Sequence, residues 1–106
     1  MSLNRIIPLL LLDQKKLVKT SSFSNAKYIG DPKNTIRLFN EMGCSEIILL
    51  DISITKENQK IDLNFLESIV SEAFMPVTYG GGVKTLEDIN NLIKIGCEKV
   101  SINNRS

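Results

Sequence analysis

Histidine is absent from this chain of 106 residues, and its net charge is only +1. Without histidine, these residues offer no His-based catalysis and no His-ligated metal site. The near-neutral charge gives no electrostatic case for nucleic acid as a partner. No apolar run approaches the roughly 20 residues of a membrane-spanning helix, so no membrane partner is expected. We therefore expect neither a metal nor another cofactor.

Cysteine is also scarce, since only Cys44 and Cys97 are present. They lie far apart and form no Cys-x-x-Cys pair, so we expect reduced, buried thiols in a cytoplasmic protein. The first apolar run, residues 6–12, is short, and Arg5 is its only upstream charge. We interpret this run as a buried strand and not as a secretory signal.

Apolar runs alternate with amphipathic segments along the chain. The predicted strands are residues 6–12, 46–51, 75–79 and 99–102. The predicted helices begin at the capping residues Asp31, Asp62 and Thr85, and Asp88 completes a capping-box pattern with Thr85. Strands that alternate with amphipathic helices predict an α/β fold with a parallel sheet and right-handed crossovers.

Three further predictions concern two polar segments, Pro8 and the third helix. Residues 13–30 and 52–61 are polar and are predicted as loops; the first is long enough to be a functional lid, with a solvated surface loop as the alternative. Pro8 is expected at a bulge, or where its missing N–H does no harm. The third helix is expected to turn its apolar stripe towards the core, namely Leu86, Ile89, Leu92 and Ile93.

The glycine turn, Gly80-Gly81-Gly82, follows the third predicted strand and leads at once into a helix. Glycines allow a bound group to approach the backbone, and a helix N-terminus favours anions. The next apolar run ends in Ser101-Ile102-Asn103-Asn104. If the two runs are neighbouring parallel strands, both loops open on one rim, where they could hold a phosphate.

A weak internal repeat relates residues 41–47 to residues 94–100. Its spacing corresponds to two βα units, as expected in a barrel whose alternate strands contribute to one interior layer. The repeat places Glu46 and Lys99 at equivalent strand starts, with Arg5 at the start of the first strand nearby. The residues alone favour a structural ion-pair cluster at this end.

Taken together, these residues resemble the cyclase (synthase) subunit family of imidazole glycerol phosphate synthase, a phosphate-binding (β/α)₈ barrel. The resemblance covers almost the whole chain and is highly specific as a set. It rests on Arg5-Ile6-Ile7-Pro8, Val18-Lys19, Gly30-Asp31-Pro32, Leu50-Asp51-Ile52, the glycine turn after Thr78, and Lys99-Val100-Ser101-Ile102-Asn103.

The resemblance implies a lyase that works with a separate glutaminase. Ammonia would enter at the N-terminal end of the barrel and react at the C-terminal rim with a phosphorylated ribonucleotide. Carried over by position, Gly81, Gly82, Asn103 and Asn104 would bind a substrate phosphate. Lys19 and Asp51 would lie at the reaction rim, and Arg5, Glu46 and Lys99 would form the charged ring at the ammonia entrance.

One departure concerns the catalytic aspartate that ends the first strand in this family. Leu11 stands at that position, and leucine cannot act as a general acid or base. Asp13 has the parity to face the same side of the strand and could substitute, although it lies roughly 6–7 Å further along. The Leu-rich strand resembles a paralogue associated with surface-polysaccharide sugar amidation, and we favour that subtype.

Other readings remain open. They are a true cyclase of histidine biosynthesis, a non-catalytic ammonia-channel or interaction module, and the related isomerase of the same pathway, which the Ser101-Ile102-Asn103 ending disfavours. A dinucleotide site is disfavoured because the glycines are consecutive and no acidic residue ends the next strand.

The length predicts only part of a barrel, because a whole one needs about 250 residues. Residues 1–106 would supply its first four strands and lack the fourth helix and the C-terminal half. The first and fourth predicted strands would then be exposed edges, and the inner face would be uncovered. We expect the remainder of the barrel or another copy to complete the fold, and no cyclase turnover from this segment alone.

Overall fold

A computed structural model describes residues 7–21, 25–56 and 60–102 of the chain. Its strands are β1 (Leu9–Asp13), β2 (Lys16–Ser21), β3 (Asn25–Gly30), β4 (Ile47–Asp51), β5 (Val77–Gly80) and β6 (Lys99–Ser101). Its helices are α1 (Pro32–Met42), α2 (Ile52–Lys56), α3 (Leu63–Val70) and α4 (Leu86–Lys94). No helix in these stretches is long and apolar enough to cross a membrane.

The strands form one sheet in the order β3-β2-β1-β4-β5-β6. Neighbours among β1, β4, β5 and β6 pair in parallel, and α1, α3 and α4 lie in the connections between them. This arrangement confirms the predicted α/β fold with a parallel sheet, as in part of a (β/α)₈ barrel.

The segment predicted as a polar loop, residues 13–30, instead contains the two strands β2 and β3. Strands β2 and β3 pair antiparallel, and β2 pairs antiparallel with β1. The prediction missed β2 in part because the turn from β1 into β2, Gln14-Lys15, contains neither glycine nor asparagine, which usually mark a two-residue hairpin turn. Since β2 and β4 flank β1, the expectation that the first strand would be an exposed edge is wrong.

Two smaller corrections concern local structure. The segment predicted as a loop at residues 52–61 begins with the five-residue helix α2. Pro8 lies just before β1 and not within it, and its carbonyl oxygen accepts a hydrogen bond from the Ile48 amide at 3.0 Å. The proline therefore contributes its acceptor to the sheet, while its missing donor is not needed.

The predicted helix starts are confirmed. Asp31 is the N-cap of α1, although its side chain makes no capping hydrogen bond, and Asp62 caps α3 by accepting from the Phe65 amide at 3.1 Å. Thr85 and Asp88 form the predicted capping box at α4. The stripe of α4 is only partly buried, because Leu86 and Ile93 are 72% and 47% exposed while Leu92 is fully buried. The expectation that all of this stripe faces the core is therefore wrong for the described packing.

The core lies between the helices and one face of the sheet. Register places Leu10, Leu49, Tyr79 and Val100 in one row across the four parallel strands. Buried side chains of α1, α3 and α4 pack against this row, namely Ile36, Leu66, Ile69 and Leu92. We call the opposite side the inner face; it carries Leu9, Leu11, Leu50, Gly80 and Lys99.

The internal repeat has a structural counterpart at the ends of α1 and α4. The Cys44 amide donates to the Phe39 carbonyl at 3.4 Å, and the Cys97 amide donates to the Leu92 carbonyl at 3.1 Å. Both cysteines are buried and free, as predicted. Burial raises the pKa of Cys97 to about 11, so this thiol is a poor nucleophile at neutral pH.

The capping box provides a direct test of the local fold. Thr85→Ala removes the oxygen that accepts from the Asp88 amide at 3.0 Å, so we expect a loss of about 1 kcal/mol in the free energy of unfolding. Urea denaturation of the full-length protein measures this change, with Thr85→Ser as the matched control that keeps the hydroxyl. Equal stability of Thr85→Ala and wild type would contradict the capping assignment.

Candidate functional site

The carboxyl ends of the four parallel strands form one rim, which we call the carboxyl rim. Register aligns Leu12 with Asp51, Leu50 with Gly80, and Gly80 with Ser101. Asp13, Asp51 and the glycine turn, all predicted from the sequence as site residues, therefore lie along the same edge of the sheet. Among the described residues, no group of three or more acidic or thiol side chains is placed to hold a metal ion.

Asp51 serves first as a cap for α2. Its Oδ1 accepts hydrogen bonds from the Ser53 amide at 3.0 Å, the Ser53 hydroxyl at 2.7 Å and the Ile54 amide at 3.3 Å. The residue is buried and shares the helix-covered face with Leu12 and Leu49. Asp51 also lines an open cavity of about 370 Å³ at the rim.

The glycine turn packs tightly against the end of β4. Gly81 has a φ of +124°, and a Cβ there would lie 2.5 Å from the Asp51 carbonyl oxygen. Gly82 has a φ of +70°, and a Cβ there would collide with the Ile54 side chain. These two glycines are therefore required by the protein's own packing, whether or not a ligand also approaches them.

Tyr79 supports the turn from within the core. Its hydroxyl donates to the Gly81 carbonyl oxygen at 2.8 Å, and the residue is fully buried. Burial, followed by the charge of Asp51, holds the pKa of Tyr79 well above its usual range. The phenol therefore remains a neutral donor and cannot serve as a base at neutral pH.

A second cavity, of about 490 Å³, opens beside Gly82 and the start of α4, with Lys60 and Lys84 in its lining. The amides of Lys84 and Thr85 donate to Asp88 Oδ2 at 2.9 and 3.1 Å. These hydrogen bonds, with that of the Lys84 amide first, lower the pKa of Asp88. The amides at the start of α4, which the sequence predicted to be available to a bound anion, are therefore already hydrogen-bonded to the carboxylate of Asp88.

The turn between β1 and β2 is a rim feature that the sequence analysis did not identify. Gln14 and Lys15 both have positive φ, 53° and 69°. The Gln14 amide donates to the Ser53 hydroxyl oxygen at 3.1 Å, and the Lys15 ammonium contacts Asp62 Oδ2 at 2.8 Å. The Lys15 contact is the main cause of the lowered pKa of Asp62. No residue pattern signalled these links.

The candidate catalytic positions of β1 and β2 are those of Leu11, Asp13 and Lys19. Leu11 pairs in register with Leu50, and Asp13 ends β1 on the same face as Leu11. The Oδ1 atom of Asp13 is buried and has no hydrogen-bond partner among the described residues. Lys19 lies in β2 opposite Lys27, and its side chain is outside the described part of the structure.

The predicted ammonia-entrance residues lie at the opposite end of the sheet. Glu46 precedes β4, and Lys99 begins β6 in register with Thr78, which itself pairs with Ile48. No ion pair joins Glu46 to Lys99 in the described stretches. Arg5, together with the predicted phosphate ligands Asn103 and Asn104, lies outside the described residues.

Comparison with known proteins gives the relationships of the chain. The family model described as “Histidine biosynthesis protein” matches residues 5–106. The “Putative imidazole glycerol phosphate synthase subunit hisF2” of Pseudomonas aeruginosa is 50% identical over 93% of this chain and 39% of its own length. The hisF3 counterpart of Vibrio vulnificus, named in the same way, is 46% identical over 93% of this chain and 38% of its own length.

A further relative is the “Imidazole glycerol phosphate synthase subunit HisF” of Dictyoglomus turgidum, 43% identical over 93% of this chain and 39% of its own length. The chain thus spans about two fifths of the length of the curated relatives that it matches. The parallel βα units, the rim that gathers the predicted residues and the family match agree. The chain belongs to the histidine biosynthesis protein family, and these relatives carry the name of the HisF subunit of imidazole glycerol phosphate synthase, two of them as “Putative” subunits.

Proposed function

We propose that this chain is part of a barrel subunit that binds a phosphorylated small-molecule substrate at the carboxyl rim and uses or conducts ammonia from a partner glutaminase. The observation that carries the proposal is the separation of two sets of residues. Asp13, Asp51 and the glycine turn lie at the carboxyl rim, whereas Glu46 and Lys99 lie at the amino ends of the strands. Such a separation suits a protein that receives ammonia at one end and substrate at the other.

The phosphate would be held by Gly81 and Gly82 together with Asn103 and Asn104. The cavity beside Gly82 offers space for such a ligand, although the charges of Lys60 and Lys84 in its lining are balanced by those of Glu87 and Asp88. Because Gly82 already contacts Ile54, only the open side of the turn is available to a phosphate. The reaction-rim roles would fall to Lys19 and Asp51. Residues 1–106 would form the part of the barrel that contains its first four strands. The remainder of the barrel would complete the inner face.

Within this function we favour the paralogue linked to surface-polysaccharide sugar amidation. Leu11 supports this subtype, because it places an aliphatic side chain on the inner face where the resemblance calls for a catalytic carboxylate. Identity to the relatives does not separate the subtypes, because those whose names carry a copy number are 50%, 46% and 42% identical to the chain, and the HisF subunit of Dictyoglomus turgidum is 43% identical. A non-catalytic ammonia-channel module would satisfy the same observations.

A true cyclase of histidine biosynthesis is the second candidate, and one observation favours it. Asp13 shares the inner-face parity of Leu11, and its buried Oδ1 has no hydrogen-bond partner among the described residues. An unpaired buried acceptor is costly, so a substrate or reactive group that donates to it would be bound favourably. In such a cyclase Asp13→Asn would abolish turnover.

The link to ammonia is tested with the full-length protein and each glutaminase of its host, purified separately. We expect at least one glutaminase to hydrolyse glutamine about tenfold faster when the protein is added, a typical size for coupling between sites. Lys99→Glu should reduce this stimulation because it reverses a charge at the amino end. Lys33→Glu, in the first turn of α1 at the opposite end, is the control. Stimulation of no glutaminase would contradict the proposal.

A further inference from the structure

Ser53 connects two parts of the carboxyl rim through one buried hydroxyl group. It is 1% exposed, and its hydroxyl donates to Asp51 Oδ1 at 2.7 Å while accepting from the Gln14 amide at 3.1 Å. A serine hydroxyl has one donor and two acceptor lone pairs, so the donor is fully used here. The residue lies in α2, and the amide it binds lies in the turn between β1 and β2.

The turn that Ser53 holds is conformationally strained. Both of its central residues, Gln14 and Lys15, have the positive φ that glycine or asparagine normally supplies. Such a conformation persists only where the surrounding structure holds it. The Lys15–Asp62 ion pair at this turn is largely exposed and contributes little. The hydrogen bond from the Gln14 amide to the buried Ser53 hydroxyl is shielded from solvent at the serine and anchors the turn to α2.

The same hydroxyl group helps to fix the glycine turn. Its hydrogen bond to Asp51 is part of the cap that orients the first turn of α2, which contains Ile54. The Ile54 side chain lies directly against Gly82, and the Asp51 backbone lies against Gly81. A change in the Asp51–Ser53 contact is thus transmitted to the glycine turn through these two packing contacts.

We propose that Ser53 is a positioning residue of the carboxyl rim, which fixes the strand end that carries Asp13 relative to the glycine turn. Its hydroxyl group accepts a hydrogen bond from the Gln14 amide and donates one to the Asp51 carboxylate. The inference rests on the proposed function in one respect, namely that this rim is the substrate site. Ser53 itself is not assigned a contact with substrate or with reacting atoms.

The positioning role is tested by amide hydrogen exchange on the full-length protein without ligand. In Ser53→Ala we expect the Gln14 amide to exchange about tenfold faster, as for the loss of one buried hydrogen bond, and the Ile54 and Gly82 amides to lose protection as well. Ser53→Thr keeps the hydroxyl and should retain protection. Ser68→Ala is the matched control, because its hydroxyl donates to the Phe65 carbonyl oxygen within α3 and lies away from the rim. Unchanged exchange at Gln14 in Ser53→Ala would overturn the proposal.

A second variant covers the case in which Ser53→Ala destabilises the whole protein. Gln14→Gly keeps the amide but relieves the positive φ, so Ser53→Ala should accelerate exchange at this turn less in that background. An effect of equal size in both backgrounds would count against a role in holding a strained turn.

Binding of ribose 5-phosphate, measured by calorimetry on the same variants, separates the positioning role from the proposed function. We expect about tenfold weaker binding in Ser53→Ala and wild-type affinity in Ser53→Thr. If wild type did not bind this probe, the proposed phosphate site would fail, while faster exchange at Gln14 would still support the positioning role. If Ser53→Ala showed faster exchange at Gln14 but bound ribose 5-phosphate with wild-type affinity, the contribution of Ser53 to phosphate binding would be contradicted.

Discussion

Gly81→Ala is expected to lower the free energy of unfolding of the full-length protein by about 3 kcal/mol or more. Two causes act together at this position. Its φ of +124° is accessible almost only to glycine, and an added Cβ would lie 2.5 Å from the Asp51 carbonyl oxygen and 3.1 Å from the Asp51 amide nitrogen. These are backbone atoms of β4, so the clash can be relieved only by moving the strand end.

Gly43 and Gly82 provide the matched controls, measured with Gly81→Ala by urea denaturation. Gly43 has a φ of +74°, and a Cβ there would meet nothing within 4 Å, so Gly43→Ala should cost only about 1 kcal/mol for the backbone term. Gly82→Ala should lower the free energy of unfolding by more than Gly43→Ala does. Adding Ile54→Ala to the Gly82→Ala variant should restore part of that loss. If Gly81→Ala and Gly43→Ala destabilised the protein equally, the close packing of the glycine turn on β4 would be contradicted.

This prediction changes how the glycine turn can be used to study phosphate binding. A bulky substitution such as Gly82→Val would collide with Ile54 before it could block a ligand. Loss of phosphate binding in that variant would therefore report damage to the β4–α2 connection as well as to the proposed cradle. Substitution of Asn103 separates the two effects better, because a side-chain amide can be removed without changing the turn.

The helix boundaries could be predicted because their signals are local. Asp62 and Thr85 cap the helices that the sequence assigned to them, and Gly43 ends α1 in the left-handed conformation. The hairpin of β2 and β3 could not be predicted in the same way. The turn from β1 into β2, Gln14-Lys15, carries no hairpin signal, and the pairing of β2 with β1 is a contact that no local pattern encodes.

The sequence placed Asp13, Asp51 and the glycine turn at the ends of their strands, as the structure does, but it did not reveal what each residue contacts. The glycine turn was correctly located, yet its glycines also serve packing against Asp51 and Ile54, which come from a different βα unit. The resemblance placed Asp51 at the reaction rim, and the structure shows that its carboxylate caps α2. Ser53 carried no signal at all, because its importance depends on the distant Gln14 amide.

Full-length wild-type protein is expected to convert the phosphorylated ribonucleotide at least about a hundredfold more slowly than an active cyclase. The reason is Leu11, which occupies an inner-face position of β1 beside Leu50 of β4. A positioned general acid or base contributes about 10²–10⁴-fold to a rate, and leucine can supply neither function. Asp13 has the correct parity but lies roughly 6–7 Å further along the strand.

Two variants serve as controls for the expected slow turnover. Leu11→Asp should leave the stimulation of a glutaminase unchanged, because Leu11 lies away from the amino end where the partner is proposed to bind. Asp13→Asn should likewise leave wild-type behaviour unaltered if Asp13 has no chemical role. A turnover that is present in wild type and lost in Asp13→Asn would instead identify Asp13 as the catalytic carboxyl group.

The most direct measurement is therefore turnover of the phosphorylated ribonucleotide by the full-length protein in saturating ammonium chloride, beside the HisF subunit of Dictyoglomus turgidum as a reference. Ammonium salt removes any dependence on a partner glutaminase, so the assay isolates the chemistry of the barrel. We predict that wild-type protein forms imidazole glycerol phosphate at least about a hundredfold more slowly than the reference under the same conditions. Turnover at the rate of the reference would contradict the view that the chain retains the binding rim without the first catalytic carboxylate.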